Sequence, residues 1–146
     1  MMQPVSEQAR ALRQGKTTSR ALTEESLARI DDPDGEGPRT FIRVFHDAAL
    51  AAADASDRLR ATGIVPSPLA GIPVSIKDLC DVGGFTTHAG SATMRNAPAA
   101  AGDAPVVSRL RAAGAVIVGT TNMTEFAFGG LGLNPHFGDC RNPYDR

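Results

Sequence analysis

One stretch decides the fold: DAPVVSRLRAAGAVIVG, residues 103–119. Asp103 is a favoured N-cap residue and Pro105 suits a first helical turn, so a helix is predicted to begin here. Gly114 then ends it. The predicted apolar side of this helix consists of Val106, Val107, Leu110 and Ala113. Residues 115–119 are almost continuously apolar, which is typical of a strand buried on both faces of a parallel sheet.

A second apolar stretch, GIPVSIKD at residues 71–78, predicts an earlier strand at Ile72–Ile76. Pro73 near its start favours the beginning of a strand or a sheet edge. The irregular residues 77–102 that follow form a long loop, and such loops are usually functional or disordered. Because the order is strand, helix, strand, the sequence predicts a right-handed parallel connection and an α/β fold.

The N-terminal part of the chain is predicted to be mainly helical. Ser and Asp side chains accept hydrogen bonds from the free N–H groups at a helix start, so such residues are assigned here as caps. The predicted elements are a helix over Glu7–Arg13 capped by Ser6, a helix from near Ser19, a strand over Phe41–Phe45 and an alanine-rich helix from Asp47 to about Arg60.

The C-terminal tail shows no periodic pattern. Residues 129–146 contain four glycines and two prolines, together with Leu131, Leu133, Phe137 and Tyr144. A parallel sheet of only three strands would leave its edges exposed. We therefore expect a chain cut in mid-domain rather than a naturally disordered terminus, which tends to lack such apolar residues.

Composition excludes several classes of protein. The formal net charge is −1, the hydrophobic content is 42% and the mean hydropathy is −0.14. The charge provides no basic footprint for nucleic acid, and no apolar stretch is long enough to span a bilayer. Cys80 and Cys140 lack metal-binding or redox spacing, and the three histidines are scattered, so we expect free thiols, a cytoplasmic protein and no metal site.

Lys77 is the strongest candidate for a catalytic residue. The chain has 15 basic residues, but only Lys16 and Lys77 are lysines. Lys77 ends a strand predicted to be buried, and burial lowers the pKa of an ammonium group, which suits a general base. The alternative is a lysine that extends to water or pairs with Asp78. Position alone leaves both interpretations open.

Several motifs, in order, resemble the amidase signature family. They are Gly71–Asp81, Asp103–Gly119, Thr121–Ala127 and Gly130–Gly138, continuing through Arg141–Arg146. The N-terminal helices also resemble this family's opening pair, so the resemblance covers essentially the whole chain. It implies a mixed, mostly parallel sheet covered by helices. Residues 1–146 would be the N-terminal part of a single domain, with 1–62 a helical region containing a short strand and 63–146 the start of the core.

The resemblance implies amide hydrolysis by a Ser–cis-Ser–Lys triad, in which Lys77 matches the family's lysine. Both serines would follow the motif that ends at Arg146, so we expect this chain alone to be inactive. Ser67, Ser75, Ser91 and Ser108 do not fit the missing pattern. One departure is Thr120, where the family often has lysine. No cofactor is implied.

The substrate side of the site is assigned by the same resemblance to Phe128, Gly129 and Gly130. Glycines there allow close approach of the backbone to a ligand, although ordinary loop glycines and a core phenylalanine would give the same pattern. Asp78 is expected to orient the turn after the strand. Asn122 and Glu125 are expected to form a capping box rather than to act in catalysis.

The implied substrate is a small-molecule amide, with no direct contact to nucleic acid or membrane. Homo-oligomers or amidotransferase partner subunits are the protein partners considered. Two alternatives stay open: the amidase component of a glutamyl/aspartyl-tRNA amidotransferase, and a non-catalytic gene fragment. A dinucleotide-binding domain is disfavoured because no Gly-x-Gly-x-x-Gly pattern follows either strand of the predicted α/β unit.

Overall fold

The computed structural model describes residues 3–142, and its three strands form a mixed sheet. The strands are β1 (Phe41–Val44), β2 (Pro73–Lys77) and β3 (Val116–Thr121), in the order β1-β3-β2. β1 is antiparallel to β3, with Phe41 opposite Thr121 and an irregular register between Phe41 and Arg43. The α/β fold class is confirmed.

β2 runs parallel to β3. The N–H of Val116 donates to the Ile72 carbonyl at 2.9 Å, and the N–H of Asp78 donates to the Thr121 carbonyl at 3.0 Å. These bonds advance in the same direction along both strands, which is the parallel pattern. The predicted strand–helix–strand unit is therefore present, and Pro73 stands at the start of its strand.

Helices occupy most of the remaining regular structure. They are α1 (Val5–Arg13), α2 (Ser19–Asp31), α3 (Gly37–Thr40), α4 (His46–Ala61) and α5 (Pro105–Ala112), with 3₁₀ turns at Ala92–Met94 and Glu125–Ala127. None of the helices within residues 3–142 is long and apolar enough to cross a membrane.

Two of the predicted helix caps are wrong. α1 begins at Val5, because the Pro4 carbonyl already accepts the N–H groups of Glu7 and Gln8. Ser6 therefore lies within the first turn. α4 begins at His46, directly after Phe45, and Asp47 is likewise inside its first turn. The N–H of Phe45 bonds to the Val118 carbonyl, so the preceding strand pairing fixes where α4 can start.

Contacts divide the chain into two compact units. The first takes in the chain up to Ala28, Phe45–Val74 and Arg109–Val118. Its core cluster is Ala9, Leu12 and Ile72, with Leu22 and Val74 packed against it. A side chain of α4 caps the start of α2: the Asp57 carboxylate accepts the N–H groups of Ser19 and Arg20 at 2.8 and 2.9 Å.

The second unit consists of Arg29–Val44, Ser75–Ser108 and the chain from Gly119 onward. Its buried apolar side chains include Ile76, Val82, Val107 and Met123. The predicted apolar side of α5 is partly wrong, because Val107 is fully buried whereas Val106 is 48% exposed. This unit holds β1, the end of β2, the end of β3 and the long loop after Lys77, and it contains the candidate site.

Candidate active site

Lys77 is the last residue of β2, and its side chain is exposed. The cause is the two-residue period of a strand: Ile76 and Asp78 are buried, so Ser75 and Lys77 face the other side. The predicted burial of Lys77 is therefore not present in residues 3–142. Its carbonyl accepts the N–H groups of Leu79 and Cys80 at 2.7 and 3.0 Å, which turns the chain sharply after the strand.

Lys77 lines a depression of about 340 Å³. The other lining residues come from the end of β3 and the segment after it: Thr121, Asn122, Met123, Thr124, Ala127, Gly129, Gly130 and Gly132. The structure thus brings Lys77 together with two of its predicted partners, Gly129 and Gly130. Phe128 does not line the depression, and its side chain is 94% exposed.

Asp78 is buried directly behind Lys77, with 1% of its surface exposed. One carboxylate oxygen accepts the backbone N–H of His88 at 3.0 Å, and the Asp78 carbonyl accepts the N–H of Ala89 at 2.9 Å. These bonds join the two ends of an eleven-residue loop, so the geometry agrees with the predicted role of Asp78 in orienting the turn.

Two basic side chains lie near the Asp78 carboxylate. His88 Nδ1 is 3.4 Å from the same carboxylate oxygen, although the geometry forms no hydrogen bond. Arg43, stacked 4.9 Å from the centre of the Phe85 ring, supplies a positive charge. Burial nevertheless dominates and raises the pKa of Asp78 above its ordinary value, against the opposing effects of His88 and then Arg43.

The backbone beside the depression is strained. Ala89, Phe126 and Ala127 have φ angles of 52°, 50° and 60°, in the left-handed region that non-glycine residues rarely adopt. The N–H of Phe126 donates to the Ala89 carbonyl at 2.8 Å, so this bond joins two of the three residues, and Ala127 directly follows Phe126. Strain of this kind concentrates at functional sites, where the surrounding structure holds it in place.

Asn122 and Glu125 do not form the predicted capping box. The Asn122 amide donates to the carbonyls of Arg39 and Gly138, at 3.1 and 2.7 Å, and so ties the tail to the chain before β1. Glu125 starts the second 3₁₀ turn and lies 3.5 Å from His136 Nε2. These contacts connect both residues to segments distant in sequence. The expectation that neither acts in catalysis stays a prediction.

Asn134, which was not identified from the sequence, bonds to a residue that lines the depression. It is buried, and its side-chain amide bonds to the carbonyls of Gly90 and Met123. Asn134 precedes Pro135, a pair that favours turns, and the Asn134 side chain accepts the N–H of His136 two residues on. That turn signal was available from the sequence, whereas the contact with Gly90, 44 residues away, was not.

The four serines considered above do not line the depression. Ser67 donates to the Ala113 carbonyl at 2.7 Å, and Ser91 is buried against Thr93, with 2.8 Å between their hydroxyl oxygens. Thr120, the departure from the family pattern, is buried in β3 opposite Arg43. Within residues 3–142, no three His, Cys, Asp or Glu side chains are grouped so that they could hold a metal ion.

Comparison with known proteins defines the class of this chain. The family model named Amidase matches residues 21–146, so the chain belongs to the Amidase family. The last residues of the final motif, Pro143–Arg146, fall within this match but lie outside the described residues.

Two curated relatives illustrate the similarity. AtzE, the 1-carboxybiuret hydrolase subunit of Pseudomonas sp. (strain ADP), is 47% identical over 131 residues, which cover 90% of this chain and 28% of the relative. The A subunit of glutamyl-tRNA(Gln) amidotransferase from Chromohalobacter salexigens is 42% identical over 141 residues, which cover 97% of this chain and 28% of the relative. The chain therefore spans less than a third of the length of these relatives.

Solved structures share the fold. A chain from a vestigial protein complex that bears on the evolutionary origins of an s-triazine catabolic enzyme matches with a TM-score of 0.90 and 44% identity, over 98% of this chain and 31% of its own. Native peptide amidase from Stenotrophomonas maltophilia matches with a TM-score of 0.82 and 35% identity, over 96% and 30%. The amidase signature fold is thus established for this chain.

Proposed function

We propose that these residues are the N-terminal part of one amidase signature domain, in a protein that hydrolyses a carboxylic amide to an acid and ammonia or an amine. The observation that supports this most is the position of Lys77. It ends a strand parallel to β3 and shares one depression with Gly129 and Gly130. Functional groups in α/β folds collect at the carboxyl ends of parallel strands.

In the proposed mechanism, Lys77 is the base of a Ser–cis-Ser–Lys triad. An amine accepts a proton only in its neutral form, so Lys77 would take the proton of the bridging serine, which takes that of the nucleophilic serine. The serine oxygen attacks the amide carbon, the C–N bond breaks, and the leaving amine receives a proton. Water then hydrolyses the acyl-enzyme. Both serines would come from the part of the family domain that follows the described residues.

Phe128, Gly129 and Gly130 are proposed to form the substrate side of the site. A β-carbon added at Gly130 would have open space around it, and Phe128 presents its whole ring to solvent. An exposed aromatic ring next to bare backbone suits contact with the acyl or amine portion of a substrate. The proposed substrate is a small-molecule amide, and the proposed location is the cytoplasm.

A second candidate is the amidase component of a tRNA-dependent amidotransferase. Identity of 42% to the A subunit of a glutamyl-tRNA(Gln) amidotransferase favours it. In that case the same Lys77 chemistry would release ammonia for a partner protein. A net charge of −1 gives these residues no overall excess of positive charge for tRNA, and in this candidate the partner would contact the nucleic acid.

The test uses the complete protein that carries these residues. Ammonia release is measured from a panel of aliphatic and aryl amides and from glutamine, for wild type, Lys77→Ala and Lys16→Ala. Lys16 is the matched control because it is the other lysine and is exposed elsewhere. We expect Lys77→Ala to lose several orders of magnitude in kcat, since members of a triad act as a unit. Near-normal turnover by Lys77→Ala would contradict the proposal.

The two candidate functions are separated by the substrate that is used. Turnover of simple amides by the protein alone favours the hydrolase. Turnover of glutamine that rises when amidotransferase partner subunits and charged tRNA are added favours the second candidate. Both results must disappear in Lys77→Ala and persist in Lys16→Ala.

A further inference from the structure

Asn134 anchors an otherwise exposed segment. Among the described residues 129–142 it is the only one that is buried, with 1% of its surface exposed. Leu131 and Leu133 are 83% and 53% exposed, and three of residues 129–132 are glycines without side chains to pack. Apart from Phe137, whose ring centre lies 5.9 Å from that of His88, apolar side chains contribute little to holding this segment in place, so polar contacts are its main support.

The amide of Asn134 uses its full hydrogen-bonding capacity. Its two N–H groups donate to the carbonyls of Gly90 at 2.7 Å and Met123 at 2.6 Å. Its oxygen accepts the N–H groups of His136 and Phe137 at 2.8 and 3.0 Å. A primary amide offers two donors and two acceptor positions, so each is used.

These bonds join three separate parts of the second unit. Gly90 ends the loop that starts at Lys77, Met123 lies in the lining of the depression, and His136 belongs to the tail. The absence of a side chain at Gly90 leaves room for this amide, because a β-carbon there would lie only 2.8 Å from Asn134 Nδ2. Together with the bond from the Phe126 N–H to the Ala89 carbonyl, this side chain connects the loop after Lys77 to the segment that contributes Gly129–Gly132.

We propose that Asn134 is a positioning residue of the amidase site: its amide holds the Gly129–Gly132 backbone at a fixed distance from Lys77, where the substrate is to lie. This inference rests on the proposed function. Its physical basis is that reaction rates depend steeply on geometry, and a displacement of about 1 Å can cost about 100-fold in rate. A residue that merely stabilises the fold would leave the kinetic constants of the folded protein unchanged.

The experiment compares Asn134→Ala, Asn134→Asp and the control Asn96→Asp in the complete protein. Asn96 is exposed and lies outside the depression. Asn134→Ala removes all four side-chain bonds. Asn134→Asp keeps the acceptors for His136 and Phe137 and regains one donor when its carboxyl is protonated. Both kcat and KM are measured at a temperature where circular dichroism shows each variant folded.

We expect kcat/KM to fall about 100-fold in Asn134→Ala, less in Asn134→Asp and not at all in Asn96→Asp. The deficit of Asn134→Asp should grow as pH rises, because the ionised carboxylate repels the carbonyls of Gly90 and Met123. Hydrogen exchange of residues 129–138 should speed up in Asn134→Ala, which reports the released segment without any turnover.

The positioning role is overturned if folded Asn134→Ala has a kcat/KM within twofold of wild type. If the alanine variant does not fold, the same result in folded Asn134→Asp at high pH overturns it. Either result leaves the proposed function intact. Absence of Lys77-dependent amide turnover in the wild type overturns the proposed function and this role with it.

Discussion

The carboxylate of Asp78 and the backbone of His88 close the loop that follows Lys77. The His88 N–H donates to Asp78 Oδ2 at 3.0 Å, and the imidazole Nδ1 of His88 lies 3.4 Å from the same oxygen. Asp78 therefore links the end of β2 to the residues that follow His88. Of these, Ala89 bonds to Phe126 and Gly90 bonds to Asn134. The geometry of the loop next to Lys77 depends on a buried carboxyl group, and the protonation of that group changes with pH.

The stability of the fold should depend on the titration of Asp78. Burial raises the folded-state pKa of Asp78 above its ordinary value of 3.8. The folded protein then binds the proton more tightly than the unfolded chain, so the free energy of unfolding falls as pH rises from that value through the folded-state pKa, and then levels off. Asp78→Asn keeps an acceptor for the His88 N–H but cannot titrate.

Urea denaturation at a series of pH values checks this prediction. As pH rises from 3.8 through the folded-state pKa of Asp78, wild type should lose stability relative to Asp78→Asn. Above that range, the difference in unfolding free energy between the two proteins should stay constant. Comparing the two proteins cancels the titration of all other groups, apart from His88 and Arg43, which face Asp78. Parallel stability curves for the two proteins throughout would show that the pKa of Asp78 is not raised.

Adjacent valines on α5 should respond very differently to truncation. Val107 is completely buried, whereas Val106 is 48% exposed. Val107→Ala should lower the free energy of unfolding by about 2 kcal/mol, from lost burial and the cavity left behind. Val106→Ala should change it by about 0.5 kcal/mol or less. Thermal melts of the two variants check this, and equal losses would mean that the helix face is assigned wrongly.

Elements with agreeing local signals could be predicted from the sequence. α5 has Pro105 at its first position and Gly114 after its end, and Val116, Ile117 and Val118 of β3 are apolar and buried. These local signals agree on where the two elements begin and end, so predicting them needed no knowledge of distant contacts. The buried side of α5 was predicted only in part, because Val106 is 48% exposed. One of the family motifs, Asp103–Gly119, covers α5 and most of β3, and this agreement is why the fold class could also be predicted.

Features fixed by distant contacts could not be predicted. The start of α2 is capped by Asp57, 38 residues away, rather than by a local side chain alone. Asn122 resembled a helix cap but bonds to Arg39 and Gly138. The exposure of Lys77 follows from strand alternation, but whether further chain covers that face is not encoded locally. Its catalytic role therefore stays a prediction.

The left-handed conformation at Ala127 should make glycine favourable there. At a φ of 60° an alanine side chain costs about 1–2 kcal/mol, and glycine removes that cost. The relieved strain exceeds the roughly 0.4–1 kcal/mol that glycine loses because it makes the unfolded chain more flexible. Ala127→Gly should raise the free energy of unfolding by about 0.5 kcal/mol. Ala51→Gly, on the exposed side of α4, should lower it by about 1 kcal/mol. Chemical denaturation gives both values, and a loss in both variants would argue against backbone strain beside the depression.

Gly90 and Gly84 allow close packing to be separated from backbone strain. Both have positive φ angles, +69° and +84°, so alanine is strained at either position. A β-carbon at Gly90 would also lie 2.6 Å from the Met123 carbonyl oxygen and 2.8 Å from Asn134 Nδ2, whereas one at Gly84 would meet nothing within 4 Å. Gly90→Ala should therefore destabilise the protein by about 2 kcal/mol more than Gly84→Ala, as overpacking of a rigid site does. Urea denaturation of the two variants measures this difference directly. Equal losses would mean that the contact between Gly90, Met123 and Asn134 is looser than the structure places it.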